Sequence, residues 1–266
     1  MAVGDRIEDR NHITGFKEEI KKAKDASRDA FFTWFNAGKD ADEVFLRGSW
    51  DFACHIVRPV ERFVKNPENL TVLEIGHGGG RILAAAARFF GRAIGVDIHE
   101  DNELVLAELK RRGIENIELV RSDGTRIPLE DNSIDIVYSF IVLQHVEKIE
   151  IFQNYFREAY RVLKPHGIAV LYFGREYKYS INKRARLLYL FDRFRERYTL
   201  KNGYREIPAR VNETNLRVSL SFARKLSRET GFKVAKNLVS RKKVPDGLEL
   251  YGGQNGLVLL KNLSNH

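Results

Sequence analysis

Val72-Leu73-Glu74-Ile75-Gly76-His77-Gly78-Gly79-Gly80-Arg81 is the stretch that decides the fold. A short apolar run, Thr71–Ile75, stops at glycines and gives way to the Ala-rich, helix-forming segment Arg81–Phe90. Strand, glycine turn and helix in that order place backbone N–H groups and a helix N-terminus at one edge of a parallel sheet, where such sheets bind ligands. Gly76 and Gly78 let the backbone turn tightly and approach a ligand where a Cβ would clash.

The spacing narrows the ligand. A dinucleotide fingerprint counted from Gly76 needs its last glycine at position 81, which is Arg81. No Lys-Ser or Lys-Thr follows, so the nucleotide-triphosphate phosphate loop is excluded as well. Glu74, two positions before the first glycine, suits a ligand that carries positive charge.

Working outward, the same rhythm repeats. Ala93–Ile98, Asn116–Arg121, Ser133–Ser139 and Ile168–Phe173 read as further buried strands. Asn102–Arg112 and Ile149–Leu163 read as helices between them, with Lys164-Pro165-His166-Gly167 as a helix stop. Alternation of this kind predicts a parallel α/β sheet covered on both faces. Asp97 ends the second strand, where a carboxylate accepts from both hydroxyls of a ribose. Ile98 can lie against a flat base, and Asp123 can accept from an amino group on it. The carboxylate readings compete with plain helix-capping and loop roles.

Taken together, Glu74–Gly80, Gly95-Val96-Asp97, Ser122-Asp123-Gly124, Ile134–Ser139 and Leu163–Ile168 resemble the successive motifs of class I S-adenosylmethionine-dependent methyltransferases, in the broad subgroup acting on small molecules, quinones and sugars. The resemblance covers about residues 70–174, with an echo in Arg228–Lys236 and Asn255–Lys261. It implies a Rossmann-like, doubly wound seven-stranded sheet whose last strand is antiparallel. It also implies S-adenosyl-L-methionine as cofactor. Glu74, Gly76, His77, Gly78 and Gly80 would hold its methionine part, Asp97 and Ile98 the ribose and base edge, Asp123 and Gly124 the adenine, and Ser139 the floor beside the sulfonium. His77 and Gly79 depart from the family's usual residues there, so His77 bears on hydrogen bonding near the carboxylate end.

Flanking this core, residues 1–70 read as a helical N-terminal cap, built from an amphipathic helix over 14–35 and a helical stretch over 43–65. Trp34, Phe35 or Trp50 is expected near the pocket mouth. Residues 71–174 form the cofactor-binding core, 175–213 a basic lid insertion, and 214–266 the C-terminal completion. That last part is read as a helix at about 216–229 and an antiparallel pair, Phe232–Val239 with Gly256–Leu260. In the lid, Leu187, Leu190, Phe191, Phe194 and Tyr198 share one helical face. Arg184, Arg186, Arg193, Arg195, Arg197 and Lys201 lie mostly elsewhere.

Charge follows the same division. Residues 1–174 hold 24 basic and 28 acidic side chains, whereas residues 175–266 hold 21 and 8. The net of +9 therefore sits wholly in the last third, which excludes a uniformly basic coat protein. A hydrophobic fraction of 43% argues for a packed core, and the single cysteine, Cys54, excludes a disulfide framework. No apolar leader or spanning run is present, so a cytoplasmic protein is expected. No metal-ligand spacing and no Gly-x-Ser-x-Gly elbow occurs.

For catalysis, His145 follows the fourth strand and is the candidate general base for an oxygen acceptor, with a packing histidine as the competing reading. Tyr138, Tyr177 and Glu176 rank behind it. The expected activity is O-methylation of an anionic small molecule or a glycan or lipid-linked precursor. An RNA-modifying methyltransferase and a non-catalytic partner subunit of the same fold remain as alternatives. The basic lid fits an anionic acceptor or an anionic membrane surface, with a nucleic-acid backbone ranked last.

Overall fold

The computed structural model describes residues 15–36, 38–181, 186–208, 210–241 and 251–262. Arg184, one of the lid cations, lies outside them. Five parallel strands alternate with helices: β1 (Thr71–Ile75), α5 (Arg81–Phe89), β2 (Arg92–Asp97), α6 (Asn102–Arg111), β3 (Ile117–Arg121), β4 (Ile134–Ser139), α7 (Ile149–Val162) and β5 (Leu163–Gly174). β8 (Phe232–Arg241) and β9 (Tyr251–Lys261) complete a seven-stranded sheet of order β3-β2-β1-β4-β5-β9-β8. β9 runs antiparallel to both β5 and β8. The antiparallel last strand is therefore present, and the chain reverses its direction of sheet growth between β1 and β4.

Period-two alternation sorts the core into two layers. Val72 and Tyr138 pack toward α5, α6 and the N-terminal helices α2 (Arg28–Phe35) and α3 (Ala41–Asp51). Leu73, Ile75 and Val137 pack toward α7 and α9 (Leu220–Glu229). Glu74 occupies the Val72 side of β1, in register with Tyr138 on β4.

The cap departs from its expected form in one place. The helix expected over 14–35 is two, α1 (Phe16–Ala26) and α2, because Ser27 is extended (φ −174°) and its hydroxyl accepts from the N–H of Ala30 at 3.0 Å. That N-cap starts a new helix on a new axis. The 43–65 stretch is helical over Ala41–Val60, with a π-helical turn at Phe52–Val57. α7 ends at Val162, just ahead of the expected helix stop at Lys164–Gly167, and that segment already belongs to β5, with His166 at φ 68° inside a register shift against β4.

After β5 the chain forms α8 (Arg186–Thr199) and a small antiparallel pair, β6 (Tyr204–Glu206) with β7 (Leu216–Val218). The helix expected from about 216 starts later, at Leu220, where the Ser219 hydroxyl accepts from the N–H of Phe222.

Candidate active site

The loops at the C-terminal ends of β1, β2, β3 and β4 converge on a cavity of about 390 Å³. Glu74, Gly76, His77, Gly78, Asp97, Ile98 and His145 all line it, as do Trp34 and Phe35 from α2. Its volume lies within the range of small-molecule sites.

The glycine loop is held from below by side chains. Gly76 has φ 78°, its N–H donates to Val96 O, and a Cβ there would come within 2.3 Å of Val142. The N–H of Gly78 donates to Asp97 Oδ2 at 2.7 Å. Its carbonyl accepts from His77 Nδ1 at 2.9 Å and from His99 Nε2 at 3.0 Å. The tautomer of His99 follows from its other nitrogen, which accepts from the N–H of Asp101 at 3.1 Å. Both peptide groups flanking the Gly78 Cα are thus held by three side chains. His99 is 1% exposed and was missed in the sequence, where only its place two residues after Asp97 signals it.

Two carboxylates face the cavity in different states. Burial pushes Glu74 up to about 8, although the Tyr138 hydroxyl donates to its Oε2 at 2.9 Å and Arg81 lies nearby. Burial also works against charge on Asp97. There the neighbouring His99 and His77 and the N–H groups of Gly78 and Ile98 win, and Asp97 stays below the ordinary carboxylate range. Asp97 therefore remains an acceptor with lone pairs to spare after its backbone bonds. Burial lowers His77 to about 4, so it is neutral, and its Nε2 is buried without a hydrogen-bond partner.

Four expected cofactor residues sit outside the cavity lining. Ser139 is fully buried and donates to Ile75 O at 3.2 Å, which ties β4 to β1. Gly80, at φ 78°, begins α5 and packs against Val105 of α6. Asp123 is exposed, and its Oδ1 accepts from the N–H and hydroxyl of Thr125 and the N–H of Arg126. Gly124, at φ 79°, donates its N–H to the Ser122 hydroxyl, and it is Ser122 that reaches the lining.

His145 lines the cavity with its Nδ1 at 2.5 Å from Glu213 O. Nδ1 must carry the proton, so Nε2 presents a lone pair, toward which Gln144 Nε2 points at 3.3 Å. Burial lowers its pKa, which keeps the ring neutral. Two of the three lesser base candidates, Tyr138 and Glu176, are otherwise engaged. Tyr138 is fully buried, and burial with Glu74 beside it raises its pKa well above the usual range. Glu176 is paired with Arg205 and Arg217 at 2.9 and 3.1 Å.

A second cavity of about 770 Å³ adjoins the first. Asn36, Phe140, Ile141 and Gln144 line both. Ile141 holds φ 61°, a conformation costly for a β-branched residue, at that shared wall. Trp50 lines the second cavity, not the first, together with Leu46, Arg47, Tyr177 and Ile181.

Residues 73–171 match the family model described as a methyltransferase domain. The chain carries a class I S-adenosylmethionine-dependent methyltransferase domain. Within curated relatives, the methyltransferase domain is 29% identical over 121 residues to a sterol 4-C-methyltransferase of Caenorhabditis elegans, covering 45% of this chain and 34% of that protein. It is 35% identical over 88 residues to a demethylmenaquinone methyltransferase of Staphylococcus epidermidis, covering 33% and 35%. The chain thus spans about a third of these relatives' length. A solved S-adenosylmethionine-dependent methyltransferase of Aquifex aeolicus shares the fold at TM-score 0.53 and 15% identity, over 79% of this chain and 92% of that one.

The methyltransferase domain's cofactor is S-adenosylmethionine, and the residues present fit it. A glycine turn that leaves no room for Cβ atoms, an ionised Asp97 with free lone pairs, a second carboxylic acid at Glu74 and an orphaned His77 Nε2 converge on one cavity. Such a set suits a ligand with cationic groups and a diol.

Proposed function

We propose that this protein O-methylates an anionic, partly apolar acceptor seated in the second cavity. The carrying observation is the shared wall. A methyl donor in the first cavity and an acceptor in the second are separated only by Asn36, Phe140, Ile141 and Gln144, with His145 beside Gln144. Bound S-adenosylmethionine supplies a methyl group already activated by the sulfonium. The chain's own task is alignment, exclusion of water and handling of one proton. Asp97 and the clamped glycine loop orient the donor side. His145 Nε2 accepts the acceptor's hydroxyl proton once the long Gln144 contact gives way, and the Nδ1–H bond to Glu213 O steadies the imidazolium so formed. Leu46, Trp50 and Ile181 offer apolar walls, while Arg47, whose Nε is buried without a partner, offers a donor to an anion.

The names of the sterol and quinone relatives favour a second reading, methylation at carbon. The test is incubation with methyl-labelled S-adenosylmethionine and a panel of sugar nucleotides, phenols and quinones, with the labelled methyl resonance of the product read by NMR. An O-methyl product, with turnover lowered more than about tenfold by His145→Ala and cofactor affinity unchanged, supports the proposal. A C-methyl product, or full turnover in the variant, overturns the oxygen assignment.

A further inference from the structure

We propose that the outward face of α8 docks this protein on an anionic lipid bilayer. The helix is amphipathic in the inverse of the usual sense. Leu187, Leu190, Phe191, Phe194 and Tyr198 are exposed to 71%, 51%, 61%, 55% and 67% of their surface. Asp192 and Glu196, on the opposite side, are exposed to only 1% and 3%. At 3.6 residues per turn the five apolar residues cover about 100° of arc. Arg186, Arg193 and Arg197 border that arc on one side and Arg195 on the other.

A buried anchor fixes this orientation. The Asp192 carboxylate accepts from the N–H groups of Lys178, Tyr179 and Ser180 and from the Ser180 hydroxyl, at 2.6 to 3.2 Å. Ser180 also accepts from Arg175, which is 1% exposed and donates in addition to Gly252 O. Rolling the helix to hide its apolar side would strand all of these groups. The exposure is therefore built in, and a contiguous apolar patch held in water marks an interaction surface.

Its rim identifies the partner. A third cavity, of about 860 Å³, opens beside the patch between α8, the start of α9 and β8, and is lined by Leu190 and Phe194 together with Arg193, Arg197 and Lys201. Arg186, Arg197 and Lys201 make no ion pair among the described residues. Aromatic and aliphatic side chains rimmed by cations, with a basic recess for a phosphate headgroup at their edge, match the interface of an anionic membrane. No helix among the described residues is long and apolar enough to cross a bilayer, so the contact is one of lying on the surface.

The experiment is flotation of the full chain with vesicles of phosphatidylcholine alone and of phosphatidylcholine with phosphatidylglycerol. Binding should be at least tenfold tighter to the anionic vesicles and weaken in high salt. The Leu190→Glu/Phe194→Glu double variant should lose it by tenfold or more with an unchanged thermal midpoint. Arg193→Gln/Arg197→Gln should lose the preference for anionic lipid. No binding of the wild type, equal binding of the double variant, or a dimer in light scattering that the double variant dissolves would each overturn the proposal. None of these outcomes bears on methyl transfer, which is read from the labelled product.

Discussion

Glu74 is a carboxylic acid held where ionisation is costly. With its pKa near 8 it is protonated at neutral pH, sharing a hydrogen bond with Tyr138. A cationic ligand placed beside it reverses the balance and favours the carboxylate. Cofactor binding should therefore release a proton. By linkage, affinity for S-adenosylmethionine should rise with pH between about 6 and 7.5, by at most about tenfold per unit. Calorimetry in two buffers of unequal protonation enthalpy measures this release directly. Glu74→Gln keeps an acceptor for Tyr138 and has no proton to lose, so its affinity should be flat over the same window. A flat wild-type profile would refute the assignment. The acid's identity was legible from its place before Gly76, whereas its protonation was not, because that comes from burial by the assembled fold, which outweighs the hydrogen bond from Tyr138.

At the scale of elements, local and tertiary information separate cleanly. Strands β1 to β5 and helices α5 to α7 were legible because glycine turns and apolar runs punctuate the chain at every boundary. The glycine loop and Asp97 share one βαβ unit, so that half of the site could be read from spacing. The second cavity could not. Its wall combines α3, the turn after β4, the segment before α8 and the β8–β9 end, and nothing in the sequence joins them. α8 shows a different limit. Its five apolar residues mark one face of a helix without saying which way it points, and burial there is decided by Asp192, whose partners are mostly backbone N–H groups that leave no mark on composition. Asp192→Ala leaves four donors without their acceptor and removes the carboxylate 4.0 Å from the buried Arg175 guanidinium. It should cost about 3 kcal/mol. For a chain of this size the melting temperature then drops by roughly 6–12 °C. Asp192→Asn, which retains one acceptor, should lose less. Calorimetric melting of both variants checks the order, and melting points within a degree of wild type would show that the anchor does not hold the helix.

For the whole molecule, charge placement sets the pH range of stability. Glu108 is held near 2, where burial opposes the charge but Arg111, Arg28 and Arg112 overcome it, and Asp192 lies below its ordinary value through Ser180 and three N–H groups. Acids with depressed values stabilise above their unfolded pKa, and that stability is lost as pH falls through the folded one. His77, lowered to about 4 by burial, adds to the same acid limb, because the unfolded imidazole binds its proton near 6.5 and the folded one does not. Two buried acids act in the opposite sense. Glu74, near 8, and Glu196, raised to about 7 by burial, hold protons in the folded state that the unfolded chain has already released. Their penalty grows from about pH 4.5 until each ionises. Between about 4.5 and 6.5 the histidine gain and the glutamate penalty oppose each other. Above about 6.5 the glutamates act against the fold without that compensation, at up to about 1.4 kcal/mol per pH unit for each group still protonated. The melting temperature should therefore be highest on the acidic side of neutrality and fall by several degrees between about pH 6.5 and 8.5. Glu196→Gln should remove the part of the decline below about pH 7. Saturating S-adenosylmethionine should remove most of the part above it, because a cation beside Glu74 compensates the ionised carboxylate. A melting curve that keeps rising through pH 8 in the free protein would mean that both carboxyls are ionised at neutrality, and the two buried acids would then have to be paired more closely with Arg81 and Arg193 than their burial implies.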